Sequence, residues 1–132
     1  MALRDYCAEF TRKQAIPVNY VHRGISAHLP VHAASTLYRI AEEALANVSQ
    51  HAHANRVWVT LSRTAEGIRL AIRDDGAGFH PAAVEPGSGL GILAMRERLR
   101  AVNGSLSIRS HPGGGTKLVA LAPRAPVALD RG

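Results

Sequence analysis

Two pairs of adjacent acids, Glu42-Glu43 and Asp74-Asp75, stand out because of their neighbours. Asn47 follows Glu43 by four residues, and His51 follows Asn47 by four more. On a helix, residues four apart share a face, so a carboxylate, an amide and an imidazole form one row. Oxygen donors at this spacing suit Mg²⁺, which takes few protein ligands and fills its other positions with water or phosphate. The second pair opens Asp74-Asp75-Gly76-Ala77-Gly78-Phe79. Alternate glycines there permit positive φ and close approach of backbone to a ligand. An aspartate at a strand end can accept a hydrogen bond from the exocyclic amine of a base. No acid follows at the offset an EF-hand requires. A third segment, Gly87-Ser88-Gly89-Leu90-Gly91-Ile92, leads into helical spacing, where free amides and the helix dipole make an anion site. It is not a Walker A loop, because Gly-Lys-Ser/Thr is missing. The fourth, Gly113-Gly114-Gly115-Thr116, reads as a hairpin turn with Thr116 opening a strand. Taken singly, each also fits an ordinary helix flank, acidic turn or hairpin.

The elements that must position these groups are legible from periodicity. Residues 16–22 alternate in polarity, which predicts a strand with Pro17 near its start, and 24–30 is a loop. Leu37, Ile40, Ala41, Ala44, Leu45 and Val48 fall on one helical face, predicting a helix over about 33–51. Glu43 and Asn47 lie at the edge of that apolar face, where a groove between helix and sheet belongs. Residues 57–62 and 68–73 alternate around Ala65-Glu66-Gly67 and predict a hairpin. Residues 74–91 read as a glycine- and proline-bearing loop. Ile92, Met95, Leu99 and Val102 restore helical spacing, and Gly104 is expected to end that helix. A last hairpin pairs 106–110 with 116–122. This order predicts an α+β fold, a two-layer sandwich with helices on one face of a mixed, mostly antiparallel sheet.

Composition removes several classes. The chain has 132 residues, 46% hydrophobic and 20% charged, and 16 basic against 10 acidic residues leave a net charge of +6. That is one domain of ordinary folded composition. No uncharged apolar run approaches the ~18–20 residues of a membrane helix. The N-terminus lacks a signal peptide's apolar core, and Cys7, the single cysteine, excludes an internal disulfide and a thiolate zinc site. A cytoplasmic location is expected. The cations are scattered through the sequence with no run of five, so neither nucleic acid nor membrane is expected as a partner.

Read together, the segments resemble the ATP-binding catalytic domain (HATPase_c) of bacterial two-component sensor histidine kinases. That domain belongs to the gyrase, Hsp90, histidine kinase and MutL (GHKL) ATPase superfamily, which has the Bergerat fold. Residues 37–52 resemble its N box, 74–79 its G1 box, 89–92 its G2 box, and 114–116 its final glycine-threonine element. Met95-Arg96-Glu97-Arg98 is similar to the nitrate-sensing and desaturase-regulating subfamily. The resemblance spans about 15–123, leaving 1–14 as an N-terminal arm or the end of an upstream helix and 124–132 as a flexible tail.

The resemblance implies ATP and Mg²⁺ as cofactors and a role for each matched residue. Asp74 accepts the adenine amino group, Gly76 and Gly78 shape the base pocket, and Thr116 lines its side. Asn47 holds Mg²⁺, with His51 next in the row, and Glu43 is the catalytic group near the γ-phosphate. Gly89, Leu90 and Gly91 form a lid whose amides meet the phosphates. Asp75 stands where many relatives have Asn, and Gln50 where they often have Lys or Arg. The implied partners are ATP or ADP, the dimerisation and histidine-phosphotransfer domain of the full kinase and, indirectly, a response regulator.

The acceptor histidine of such kinases is typically followed by Asp or Glu. The seven histidines here are followed by Arg, Leu, Ala, Ala, Ala, Pro and Pro, so none fits that role. The chain is therefore expected to bind ATP without phosphorylating itself. Alternatives are a stand-alone serine kinase of the same superfamily, as anti-sigma factors are, and a non-catalytic nucleotide-sensing module.

Overall fold

In a computed structural model, residues 2–25, 29–80 and 91–123 are described. The order is helix α1 (Ala2–Gln14), strand β1 (Val18–Arg23), helix α2 (Val31–Asn47), β2 (Val57–Arg63), β3 (Gly67–Asp74), α3 (Ile92–Arg100), β4 (Ser105–Ser110) and β5 (Thr116–Pro123). The strands form one sheet in the order β1-β2-β3-β5-β4. Every neighbouring pair is antiparallel except β1 with β2. That parallel pair follows from chemistry of connection: α2 lies between the two strands in sequence, and a crossover of that length returns the chain in the same direction.

Alternation along each strand sorts the sheet into two faces. Val57, Val59, Leu61, Ile68, Leu70, Ile72, Leu118 and Ala120 point to one side and are buried beneath α2 and α3. The apolar stripe of α2, Leu37, Ile40, Ala41, Ala44 and Leu45, supplies the other half of the core, with Met95 and Leu99 from α3. The segment 2–14 is a docked helix. Leu3, Cys7 and Phe10 are buried, and Tyr6 meets Tyr38 of α2 edge to face at 5.6 Å. Burial pushes the Cys7 thiol up to about 11, so this cysteine is a packed apolar group rather than a nucleophile.

Two boundaries differ from the periodicity. The helix expected over 33–51 is α-helical only to Asn47, and Val48–Ala52 continues as a π turn that ends at His53 in the left-handed conformation. A widened turn rotates the residues beyond it around the axis, so the row of Glu43, Asn47 and His51 does not continue as on a regular helix. The α3 helix stops at Arg100, and Asn103 rather than Gly104 adopts positive φ. Gly104 is needed for another reason: a Cβ there would lie 2.5 Å from the backbone oxygen of Leu121. Residues 124–132 lie outside the described residues.

Candidate functional site

The ends of α2, β3, β4, β5 and α3 converge on a cavity of about 290 Å³. Its walls are largely apolar: Ile72 from β3, Ile108 from β4, Leu118 from β5, Ile92 and Met95 from α3, and Phe79 from the loop after β3. The polar groups are few. Asn47 and His51 stand at the α2 side, and Asp74 and Thr116, partners across β3 and β5, stand at the sheet side. A narrow apolar slot with one carboxylate and one hydroxyl accommodates a flat heterocycle and reads a hydrogen-bond donor on its rim.

Asp74 is the only charged side chain buried among the described residues. Its Oδ1 accepts the N–H of Gly76 at 2.8 Å. Burial pushes its carboxyl above the ordinary aspartate range, with a smaller push from Asp75, while the Gly76 and Thr116 backbone donors pull it back. A buried carboxylate with lone pairs facing a cavity is a strong acceptor for an incoming amine.

Asp75 does something different. It is exposed, and its Oδ1 accepts the N–H groups of Asn55 and Arg56 at 2.8 and 3.0 Å, tying the G1 segment to the chain leaving the π turn. The Arg56 and Asn55 donors hold its carboxyl below the ordinary range. The Asp75 contribution is thus present above the unfolded-state value of about 3.9 and is lost as pH falls through the lower folded value. Asp74, raised by burial, has the opposite sign: it favours the folded state at low pH and costs stability once ionised. Urea unfolding between pH 7 and 3 should show a shallower acid limb for Asp75→Asn than for the wild type, since an amide oxygen accepts both bonds without titrating.

The loop after β3 is sewn to the last hairpin through a residue outside every motif, Ser110. Its hydroxyl accepts the Phe79 N–H at 2.8 Å, donates to the Gly115 carbonyl at 2.8 Å, and lies 2.9 Å from the Thr116 hydroxyl. With its one proton given to Gly115, Ser110 accepts from Thr116, so the Thr116 oxygen offers lone pairs to the cavity. A signal existed: Ser110 is a polar residue on the inward register of β4, after Leu106 and Ile108. Ser110→Ala strips the buried Gly115 carbonyl and the Phe79 amide of their partner. A loss of about 1–3 kcal/mol in urea unfolding is expected, with weaker ligand binding by calorimetry.

Glu43 does not line the cavity. It stands beside it against Gly91, the residue that opens α3, where a Cβ on Gly91 would meet the Glu43 carboxylate at 2.5 Å. Gly91 has φ +67° and, as the N-cap, has no side chain to bond the first amides of α3, so a carboxylate or phosphate here faces the positive helix end. Gly76 sits behind Asp74 and reaches the site through its amide alone. Gly78 lines the cavity, Gln50 is exposed away from it, and Gly89 and Leu90 lie outside the described residues. The site thus gathers Asn47, His51, Asp74, Gly78 and Thr116, with Glu43 and Gly91 as a second cluster next to them.

In sequence and in fold the chain is similar to known proteins. Residues 32–126 match the family described as histidine kinase-, DNA gyrase B-, and HSP90-like ATPase. The chain is 32% identical over 121 residues to the signal transduction histidine-protein kinase/phosphatase DegS of Brevibacillus brevis, covering 92% of this chain and 31% of that protein. It is 31% identical over 118 residues to the nitrate/nitrite sensor protein NarX of Escherichia coli K12, covering 89% of this chain and 20% of NarX. The chain therefore spans less than a third of either relative. The fold superposes on the Erythrobacter litoralis EL346 blue-light activated histidine kinase with TM-score 0.75 at 22% identity, over 92% of this chain and 40% of that one. An apolar slot with a buried aspartate, flanked by an asparagine helix and a glycine-opened helix, and a sequence match over most of the chain lead to one assignment: the chain belongs to the histidine kinase-, DNA gyrase B-, and HSP90-like ATPase family.

Proposed function

We propose that this chain is the catalytic domain of a sensor histidine kinase, working on the cytoplasmic side. It binds Mg·ATP and donates the γ-phosphoryl group to a histidine on the dimerisation domain of the full protein, which passes it to a response regulator. The observation that carries this reading is Asp74, a buried carboxylate at the end of an apolar slot sized for a base. Residues 15–123 form the domain, and 1–14 are an N-terminal arm or the end of an upstream helix packed on it.

Asp74 takes the adenine amino group while Ile72, Ile108, Leu118 and Met95 exclude water from the base. Thr116, with its proton committed to Ser110, presents an acceptor beside it. The phosphates run toward the N-terminus of α3, whose first amides and dipole offset their charge. Asn47 and Glu43 supply hard oxygens on one side of α2, and no cluster of three metal-binding side chains occurs among the described residues. That donor set fits an ion arriving with its nucleotide, so Asn47 would hold Mg²⁺, which when bound offsets the charge on the phosphates. Glu43, near the phosphate end, polarises the incoming imidazole as its nitrogen attacks phosphorus and ADP leaves with the bridging oxygen. Positioning and charge neutralisation do most of the chemistry.

Calorimetry with ATP and ADP, with and without Mg²⁺, tests the binding. Asn47→Ala should lose the Mg²⁺-dependent part of ATP affinity, roughly ten-fold, and leave adenosine binding unchanged. Equal titration heats for ATP and GTP, or none for either, would remove the proposal. Adding back the dimerisation helices and following transfer from labelled ATP separates histidine from serine as acceptor.

A further inference from the structure

Among the described residues, the face of the sheet turned away from α2 and α3 carries no helix. Its outward residues fall into rows that cross all five strands in register. Asn19, Trp58, Arg73, Lys117 and Arg109 make the first row, Val21, Thr60, Ala71, Val119 and Ser107 the second, and Arg23, Ser62, Arg69, Leu121 and Ser105 the third. Arg56 joins the first row through a 2.6 Å bond to the Asn19 side chain. The face therefore holds Arg23, Arg56, Arg69, Arg73, Arg109 and Lys117, and among the described residues its one acid is Asp75, at the end of the sheet beside Arg56. These cations come from β1, β3, β4, β5 and the approach to β2, and strand register brings them together.

Arg73, Lys117 and Arg109 sit directly opposite one another on adjacent strands, and among the described residues none of them has a salt-bridge partner. Like charges in cross-strand register destabilise a sheet, and an anionic partner relieves that repulsion. The geometry also limits the partner's shape. The charged rows lie four residues apart along the strands, about 13 Å, and the row between them is small and uncharged, with Val21 exposed. A helix is about 10–12 Å across, so one laid along the middle row places apolar side chains on Val21, Ala71 and Val119 and carboxylates over both charged rows. The sheet is about 19 Å wide, room for roughly 13 helical residues. Trp58, the one aromatic on these rows, is held beneath the Arg73 guanidinium at 4.0 Å, so its ring is not offered to bases or lipid. A second copy of this face carries the same charge and is repelled.

We propose that this open sheet face docks an acidic amphipathic helix of a partner protein. Trp58 is the chain's single tryptophan and reports from the first row of the face. Its emission is followed at low salt while titrating a 14-residue helical peptide with a Val/Ala stripe flanked by glutamates. The same titration is run with the peptide's glutamates changed to glutamine, with phosphatidylserine vesicles and with a 20-nucleotide RNA. The expected result is saturable binding of the acidic peptide, about ten-fold weaker for the glutamine peptide and for Arg69→Gln with Arg109→Gln, and weakened by added salt. Circular dichroism and thermal unfolding check that the double variant folds, and Lys117→Gln repeats the comparison with one exposed side chain changed. No saturable response, unchanged affinity in the variants, or tighter binding to vesicles or RNA than to the peptide overturns the proposal.

Discussion

Asp74→Asn should reduce ATP and ADP affinity by about a hundred-fold while leaving the unliganded domain at least as stable as the wild type. The binding loss follows from counting acceptors. The carboxylate has two oxygens; one accepts the Gly76 amide, and the Thr116 amide also draws on the group. Asparagine keeps one oxygen and introduces two donors, so the amide must choose between Gly76 and the ligand amine. Either choice leaves a buried donor facing a donor. Loss of one charge-assisted bond plus an unsatisfied group is worth about 3 kcal/mol, or two orders of magnitude in affinity. Stability moves the other way because burial raises the Asp74 pKa. Above that raised value the ionised group costs folding free energy, and the neutral amide removes the cost. Calorimetry and thermal unfolding at pH 7 and 4 check both halves. The difference in stability between variant and wild type should shrink at the lower pH as Asp74 takes up its proton. Unchanged affinity for nucleotide would show that Asp74 does not read the base.

The second large effect is on the fold. Gly78 has φ +70°, and a Cβ there would lie 2.1 Å from the His111 carbonyl oxygen and 2.9 Å from that of Gly115. Both obstacles are backbone, and the hairpin they belong to is fixed by the Gly113 amide bonding to Ala77 at 2.6 Å and by Ser110. Neither can rotate aside. Gly78→Ala should cost roughly 2–4 kcal/mol in urea unfolding and weaken nucleotide binding, because the loop pushed off the hairpin also carries Gly76 and Phe79. Gly113 is the control: its φ is +80°, yet nothing lies within 4 Å of an added Cβ. Gly113→Ala should cost only the left-handed strain, about 1 kcal/mol. Equal losses at the two glycines would show that the packing of the G1 loop on the hairpin is not what Gly78 serves.

Particular residues show what was legible beforehand. The hairpins, the helix through Glu43 and Asn47, and the placement of Asp74 at a strand end follow from periods of two and 3.6, which are local. The π turn at Val48–Ala52 was not, because its wider hydrogen bonding leaves no mark on the apolar spacing. Asp75 stood next to Asp74 in an adjacent doublet, yet strand alternation sends one carboxylate to the buried slot and the other outward to Asn55 and Arg56. Ser110 belongs to no motif; alternation on β4 turns it inward, and only the pairing of distant segments sets its hydroxyl among Phe79, Gly115 and Thr116.

By itself the sequence determined the elements, their order, and the residue types at Glu43, Asn47, Asp74 and Thr116, since spacing along the chain decides which side of a helix or strand a group occupies. Tertiary structure alone decided which of them meet. Pairing β3 with β5 sets Asp74 against Thr116, and packing α2 beside α3 sets Glu43 against Gly91. The basic residues carry the same lesson. Scattered along the chain they looked like ordinary solvation, but strand register, a relation between segments far apart in sequence, gathers six of them on one face of the sheet.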